Sequence, residues 1–506
     1  MSYAILFLIL PLFSAFLAPL GSLVREKFGN ILNMFIYAAG MLLGVWLFRG
    51  LEGGSIELVL GGWRAPFGIN LHLSPLSVGF GVLVYLLALL IHVSDLGRGR
   101  PARYNLLFGL FVFSSLGVMQ TGDLFNLFIF IEIGSIAVIA LTPSVSDQAG
   151  TRGAFKYLVP SGLLSMIMLG SIALLYSCLG TLNMAHIASS GPLNARLGLL
   201  LGIGLLGVFF FETELFPFNT WVPDVYKGAP SSFSGAIAGI GGLSGAVALG
   251  RVFLTMMGEG TSFQLSRHSL TVLVFGVALA SILVGEFAAL RERDLKKVMA
   301  FSSVAQMGVV VLTFSTGGAN GLFAGLFLLL NHSVVKPLLL IVTGFFIGVT
   351  KAARWDEMKG VGRRYPLMGA LFILGGLSLL GMPIFAGFWA KLTLLKALFD
   401  EGSFFALTGA AAVLLSVIIE GVYLMRIGHV LFEREEGEAA PADRATVKNI
   451  VLAALPALVL ALFTVAAGLR PTLVSGFLKS ASTDLLQTSV YIENVLGALS
   501  RVGGGL

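Results

Sequence analysis

The residues most able to do chemistry in this chain are ionisable side chains inside long apolar runs. A charge held mid-bilayer costs at least ~2.5–3.5 kcal/mol on insertion scales, so each is a functional candidate by default. Glu132, in LFNLFIFIEIGSIAVIAL, has no other charge within eight residues on either side. Glu212 and Glu214 share the segment GVFFFETELFPFNTW; two positions apart is about 200° around a helix, which predicts separate pockets. His332 and Lys336, in LLLNHSVVKPLLL, are spaced i, i+4 and share a helix face. Pro337 follows and lacks the N–H that the Ser333 carbonyl would accept. A histidine, a lysine and a freed carbonyl on one stripe suit a hydrated proton path. Lys391 follows GMPIFAGFWA, and Glu420 lies in LLSVIIEGVYLMR. Arg251 and Glu286 sit nearer the ends of their runs, where anchoring or local pairing fits as well as transport. The bland alternatives are a carboxyl hydrogen-bonded to a neighbouring helix for Glu132, and a kink with snorkelling side chains for His332 and Lys336.

The chain around these residues is 506 long, 57% hydrophobic and only 11% charged. A soluble domain carries roughly 25% charged residues, so most of this surface faces something other than water. A polytopic, all-α membrane protein follows, embedded in the lipid bilayer. The net charge of +6 is small and scattered, which argues against a nucleic-acid partner. The lone Cys178 excludes a disulfide framework, a thiolate metal site and an iron–sulfur cluster. No metal or cofactor is expected, and no Walker A segment is present to make an ATPase. The first apolar run has no basic leader or small-residue cleavage site and reads as a span.

About fourteen transmembrane helices are predicted, at roughly 3–20, 30–49, 76–93, 104–121, 123–141, 158–180, 196–216, 232–256, 270–290, 297–315, 320–350, 365–398, 404–430 and 449–469. Of the 32 Lys and Arg, four (Arg251, Lys336, Lys391 and Lys396) fall inside spans. The loops after odd-numbered spans, with the span ends beside them, hold 21, and the opposite side holds seven. That bias places the basic loops in the cytoplasm and both termini outside. Phe432 to Lys448 reads as a cytoplasmic loop, and Val474 to Leu499 as an amphipathic helix on the outer face. Glycines such as Gly235, Gly239 and Gly242 are spaced for close helix packing.

Two spans are interrupted alike. Span 7 breaks at FPFNTWVPD and span 12 at GMPIFAG, each beside an intramembrane charge. Matching breaks in two halves are a pointer to transport sites in repeat-built carriers. The offset is five spans, an odd number, so the halves are inverted: helices 4–8 and 9–13. The predicted organisation is residues 1–103 for helices 1–3, 104–256 and 270–430 for the two repeats, and 431–506 for the loop, helix 14 and the amphipathic end.

Six segments in this order, TGDLFNLFIFIEI (121–133), GAFKYLVPSG (153–162), LFPFNTWVPDVYKGAP (215–230), RDLKKVMAFSSVAQMG (293–308), LLNHSVVKP (329–337) and SLLGMPIFAGFWAK (378–391), resemble the proton-translocating antiporter-like subunits. That family includes the large membrane subunits of respiratory complex I, of membrane-bound hydrogenases and sulfur-reducing complexes, and of Mrp-type cation/proton antiporters. TGDLFNLF with GTLNMAHI (180–187) leans toward the branch that holds the D-type Mrp subunits and the hydrogenase subunits. The resemblance implies fourteen core helices with two inverted five-helix repeats and broken helices 7 and 12. It assigns Glu132 as the helix 5 glutamate, His332 and Lys336 as the helix 11 relay, and Lys391 as the terminal proton-loading lysine. Lys156 and Lys296, within two of the motifs, and Glu214 are secondary candidates. The chain departs from the pattern twice: Glu212 stands where many members have the helix 7 lysine, and Leu243 replaces the helix 8 lysine. Two acids facing each other there would share a proton or bind a cation.

Three functions compete. The first is an ion-translocating subunit of a multisubunit Mrp-type antiporter or related respiratory complex, moving H⁺ or exchanging it for Na⁺. Its partners would be other antiporter-like and small membrane subunits, with or without a peripheral redox module. The second is a structural bridge in a respiratory complex, with a degenerate first channel. The third is a self-sufficient carrier. In none of them is the chain an enzyme by itself, although it could serve as a membrane subunit of a redox-driven complex in the cell membrane.

Overall fold

In the computed structural model, residues 2–24, 26–51, 53–63, 68–96, 100–144, 148–434 and 447–501 are described. Most of the Phe432–Lys448 loop, and Arg98 of the basic loops, therefore lie outside the described residues. The chain opens with α1 (Ser2–Val24) and α2 (Glu26–Gly50), a short antiparallel hairpin of β1 (Ile56–Val59) and β2 (Asn70–Leu73), and α3 (Pro75–Asp95). The hairpin register pairs Glu57 with His72. Pro75 at the first turn, after a Ser74–Ser77 capping box, starts α3 where a missing N–H costs nothing.

Next come α4 (Ala102–Gln120), α5 (Leu124–Leu141), α6 (Gln148–Leu179), the short α7 (Met184–Ser189), α8 (Ala195–Glu212) and α9 (Val222–Gly228). The following crossing, Ser231–Met256, is composite: α10 (Ser231–Ala236), a π-helical turn, α11 (Gly242–Gly250) and a second π-helical turn that begins at Arg251. Then follow α12 (Arg267–Arg291), α13 (Leu295–Leu312), α14 (Gly318–Thr350), the short α15 (Val361–Arg364), α16 (Pro366–Leu380), α17 (Ala386–Glu401), α18 (Phe404–Phe432), α19 (Val447–Leu469), α20 (Thr472–Leu486) and α21 (Thr488–Arg501). Thirteen helices among the described residues are long and apolar enough to cross a membrane. The fourteenth crossing is α16 with α17, each too short alone.

The two halves repeat in detail. Asp123 caps α5 and Asp294 caps α13, each accepting from backbone N–H groups of the first turn. Asp123 forms an isolated antiparallel bridge with Asn183 just beyond α6, and Asp294 forms one with Arg354 just beyond α14. The third helix of each half is the longest, 32 residues in α6 and 33 in α14, and each carries an internal proline, Pro160 and Pro337. The fourth is broken in both, and each break holds a non-glycine residue in the left-handed region: Glu214 at φ 63° and Ile384 at φ 85°. Such backbone costs about 1–3 kcal/mol and persists only where packing imposes it. Because five crossings separate the halves, they run oppositely through the membrane.

Several expectations need correction. The sixth crossing begins at Gln148 rather than near 158, which puts Lys156 inside the helix. The C-terminal segment is two helices, interrupted at Gln487, rather than one. Neither simply floats on the surface, because Val474, Leu478 and Leu485 of α20 and Tyr491 and Val495 of α21 are buried. The hairpin was not foreseen. Close packing at the spaced glycines holds: a Cβ on Gly239 would lie 2.5 Å from Pro337 Cγ and 2.8 Å from the Ser333 oxygen. The carbonyl freed by Pro337 is thus covered by Gly239 rather than left facing open space.

Candidate functional site

The second half places its charges in one buried cluster. Lys391, one turn into α17 and just past the break, reaches Glu420 on α18 at 3.0 Å. Its ammonium also donates to the carbonyls of Leu379 and Leu380, at 2.8 and 3.3 Å, which the end of α16 leaves exposed. Gln306 on α13 donates to both Glu420 oxygens at 3.0 Å, and the Tyr423 hydroxyl donates at 3.5 Å. The broken helix thus supplies both the geometry and the spare carbonyls that hold the lysine.

Lys336, on α14, is fully buried and donates to the Met299 carbonyl at 3.0 Å and to Ser302 Oγ at 2.8 Å. It interacts electrostatically with Glu214, Glu286, Glu420 and Lys391. Glu286 on α12 accepts from Ser416 at 2.6 Å, and its second oxygen is buried without a hydrogen-bond partner. His332, one turn before Lys336, is buried with neither ring nitrogen hydrogen-bonded to a side chain, and it feels the Lys336 charge. Glu214 accepts from Tyr226 at 2.7 Å and feels the Lys336 charge.

The first half is built differently. Glu132 on α5 accepts a short hydrogen bond from Ser165 on α6. Glu212, the last residue of α8, accepts from Tyr157 at 3.3 Å and Ser135 at 3.4 Å, and Glu132 is its charged neighbour. Glu212 and Glu214 do occupy separate pockets, but not for the helical reason: α8 ends at Glu212, and the left-handed turn at Glu214 carries that side chain to Tyr226. Leu243 on α11 is fully buried and brings no charge to this half.

Lys156 pairs closely with Asp224 on α9, and Lys297 reaches the same carboxylate at 3.3 Å. Lys296 is buried and donates to the Lys227 carbonyl at 3.2 Å. These lysines tie α6, α9 and α13 together at the α9 end of the first break, away from the central row. Sequence reasoning missed Gln306, Tyr423, Ser302, Tyr157, Ser135 and Ser165, all neutral, and set Glu286 aside. The i, i+4 relation of Ser302 and Gln306 within RDLKKVMAFSSVAQMG was the available signal, a polar stripe on an otherwise apolar helix.

At the end of the first repeat, Arg251 is buried 3.5 Å from Ser74 Oγ, and Ser74 donates to Asp484 of α20 at 2.6 Å. His72 of β2 lies between Glu57, at very short range, and Asp484 at 3.4 Å. Burial alone would lower the imidazole pKa, but the two carboxylates outweigh it and raise it to about 9.

Residues 121–418 match the family described as NADH:quinone oxidoreductase/Mrp antiporter, TM. The D-type subunit of the Na(+)/H(+) antiporter of Bacillus subtilis is 27% identical over 500 residues, covering 97% of this chain and 99% of that protein. The N-type subunit of the NADH-quinone oxidoreductase of Desulforudis audaxviator is 31% identical over 436 residues, covering 84% and 85%. Among solved structures, a chain of the membrane-bound sulfane sulfur reductase, an archaeal respiratory membrane complex, superposes with a TM-score of 0.89 at 30% identity, over 98% of this chain and all of that one. A chain of the Mrp complex from Dietzia sp. superposes with a TM-score of 0.85 at 23% identity, over 97% and 100%, a likeness of fold.

Proposed function

This chain belongs to the NADH:quinone oxidoreductase/Mrp antiporter family of membrane subunits, and from that premise we propose that it translocates ions as one subunit of a multisubunit Mrp-type antiporter or Mrp-related respiratory complex. The observation that carries the reading is the buried cluster of Lys336, Glu286, Gln306, Glu420 and Lys391, with Glu214 of the first half interacting electrostatically with Lys336. Acids and bases alternate there, and among the described residues no three His, Cys, Asp or Glu come together as a metal-ligand set. A lysine held by a glutamate in low dielectric is a charge that can be released: when the pair opens, the ammonium gives up a proton and the carboxylate takes one. One charge crossing 100 mV is worth ~2.3 kcal/mol, so a membrane potential or a redox partner can drive the step without a nucleotide site.

In this reading Lys391, Glu420, Lys336 and His332 carry protons in the second half, residues 270–430, while Glu132 and Glu212 form the ionisable site of the first, residues 104–256. Lys156 and Lys296 serve the rim. Both termini face outward and the basic loops face the cytoplasm of a cell-membrane protein, on the strength of the charge bias. Partners are other membrane subunits, with a peripheral redox module in the respiratory case. A second reading, a bridging subunit with a silent first channel, draws on Glu212 and Leu243, where the family pattern has lysines. Mild-detergent purification tests the assembly: co-purifying membrane subunits are expected, and a lone, active monomer would overturn it.

A further inference from the structure

Between α16 and α18 the surface carries a groove of about 280 Å³, lined from Phe372 to Leu380 on the first helix and from Gly421 to His429 on the second. Eight residues of helix rise about 12 Å, most of the ~15 Å of hydrocarbon in one leaflet. Glycines open the space. A Cβ on Gly421 would lie 3.5 Å from Leu380 Cδ1, and one on Gly428 would lie 3.1 Å from Ile373 Cδ1. Any longer side chain there would fill the gap between the helices. The lining is apolar except at His429. Met425 on its edge is 73% exposed and Ile418, two turns back along α18, is 65% exposed, so this face of the chain is turned to the hydrocarbon.

One end of the groove is basic. Arg426 precedes His429 by three positions, shares its side of α18 and is exposed. Phe432 packs at the same end, because a Cβ on Gly369 would lie 2.8 Å from Phe432 Cζ and 2.9 Å from Gly362 Cα. That contact brings in Arg363 of α15, which is exposed and whose Nε donates to the Phe432 carbonyl. Lys359 pairs with Glu433 at 3.4 Å, whereas no ion pair among the described residues takes up Arg363 or Arg426. Arg426 lies six residues before the end of α18, about 9 Å along its axis. An arginine at that depth on a lipid-facing surface needs a counter-charge. Among the described residues the chain supplies none, and a phosphate suits the planar guanidinium fork.

The shape selects the occupant. Spread over about 12 Å, the groove has a section of roughly 20–25 Å², well under the ~80 Å² of a helix 10 Å across. A single hydrocarbon chain fits where a partner's helix does not. We propose that the α16–α18 groove is a binding site for one anionic phospholipid, its phosphate held by Arg426 and His429 and one acyl chain lying along Gly376, Gly421 and Gly428. A net negative headgroup is favoured because a zwitterionic lipid would bring its own ammonium into the basic end. The assignment is independent of which half carries protons.

The test uses the intact complex in phosphatidylcholine vesicles containing a phosphatidylglycerol with a diazirine in one acyl chain. After illumination, mass spectrometry should find adducts in 372–380 and 421–429. Unlabelled phosphatidylglycerol should compete them away, and phosphatidylcholine carrying the same diazirine should label these segments far less at equal mole fraction. Arg426→Gln should lower the labelling about fivefold, the effect of one basic group at a membrane surface. Gly421→Leu, which fills the groove and keeps the charges, should remove the adducts from both segments. Adducts elsewhere on the chain are the internal reference, so a loss confined to these segments is not a loss of folding. Equal labelling by the two probes would overturn the anionic assignment. Absence of adducts from both segments of the parent complex would overturn the site, the groove then being covered by a partner subunit.

Discussion

Replacing His72 with Gln should release the C-terminal helix from the hairpin, and only over a defined pH range. The imidazole lies between Glu57 of β1 and Asp484 of α20, with the Tyr491 ring edge-on at 4.9 Å and Arg251 reaching the same cluster. A pKa raised from 6.5 to about 9 corresponds to about 3 kcal/mol of stabilisation, at 1.36 kcal/mol per pH unit. Because the folded-state value is the higher one, that contribution is fully present below pH 6.5 and is lost as the pH rises through 9. Asp484 works in the opposite sense: burial would raise its pKa, but the His72 hydrogen bond and charge hold it low, so its contribution is lost on acidification. Hydrogen exchange of amides in 472–486, measured on the intact complex, reads the clamp directly. At pH 7 the variant should exchange on the order of a hundredfold faster than the parent. At pH 9.5 the two should nearly coincide, since the parent imidazole is then largely neutral. An equal difference at both pH values would refute the charge argument, and no difference at pH 7 would refute the clamp.

Glu420→Gln removes one partner of a buried pair and should cost about 3–5 kcal/mol, seen as a lower melting temperature of the complex; Lys391→Met in the same chain should restore part of it without restoring transport. His332→Leu with Lys336→Leu should abolish proton transfer through the second half while the complex still assembles; unchanged pumping in an assembled double variant would return both residues to packing. A reporter fused within 434–446 should read cytoplasmic and one after Gly505 external. The same side for both would sink the fourteen-span arrangement.

Much of the fold was legible because bilayer thickness fixes the length of an apolar run and loop charge fixes its direction. Both broken helices announced themselves through Pro217 and Pro223, and through Pro383 with Gly381. The candidate charges were legible one by one, since each stands out against apolar neighbours. Their pairing was not: Lys391 meets Glu420 from a different helix, and a period of 3.6 tells which face is polar without telling which helix covers it. In a membrane that choice falls to close packing, as where Gly239 sits on Pro337, and packing leaves little trace in hydropathy. The neutral members, Gln306 and Ser302 above all, carried no charge to mark them. The hairpin was too short to show alternation, and nothing near His72 pointed to Asp484, 412 positions away.

The central claim is that protons cross through the second half, at Lys391 and its partners. The direct measurement is potential-driven proton flux in vesicles containing the intact complex, in sodium-free medium, comparing Lys391→Ala with Glu212→Gln at equal incorporation. Flux should fall to background in Lys391→Ala and far less in Glu212→Gln. If Glu212→Gln stops the flux while Lys391→Ala leaves it running, the first half is the working proton channel and the account is wrong.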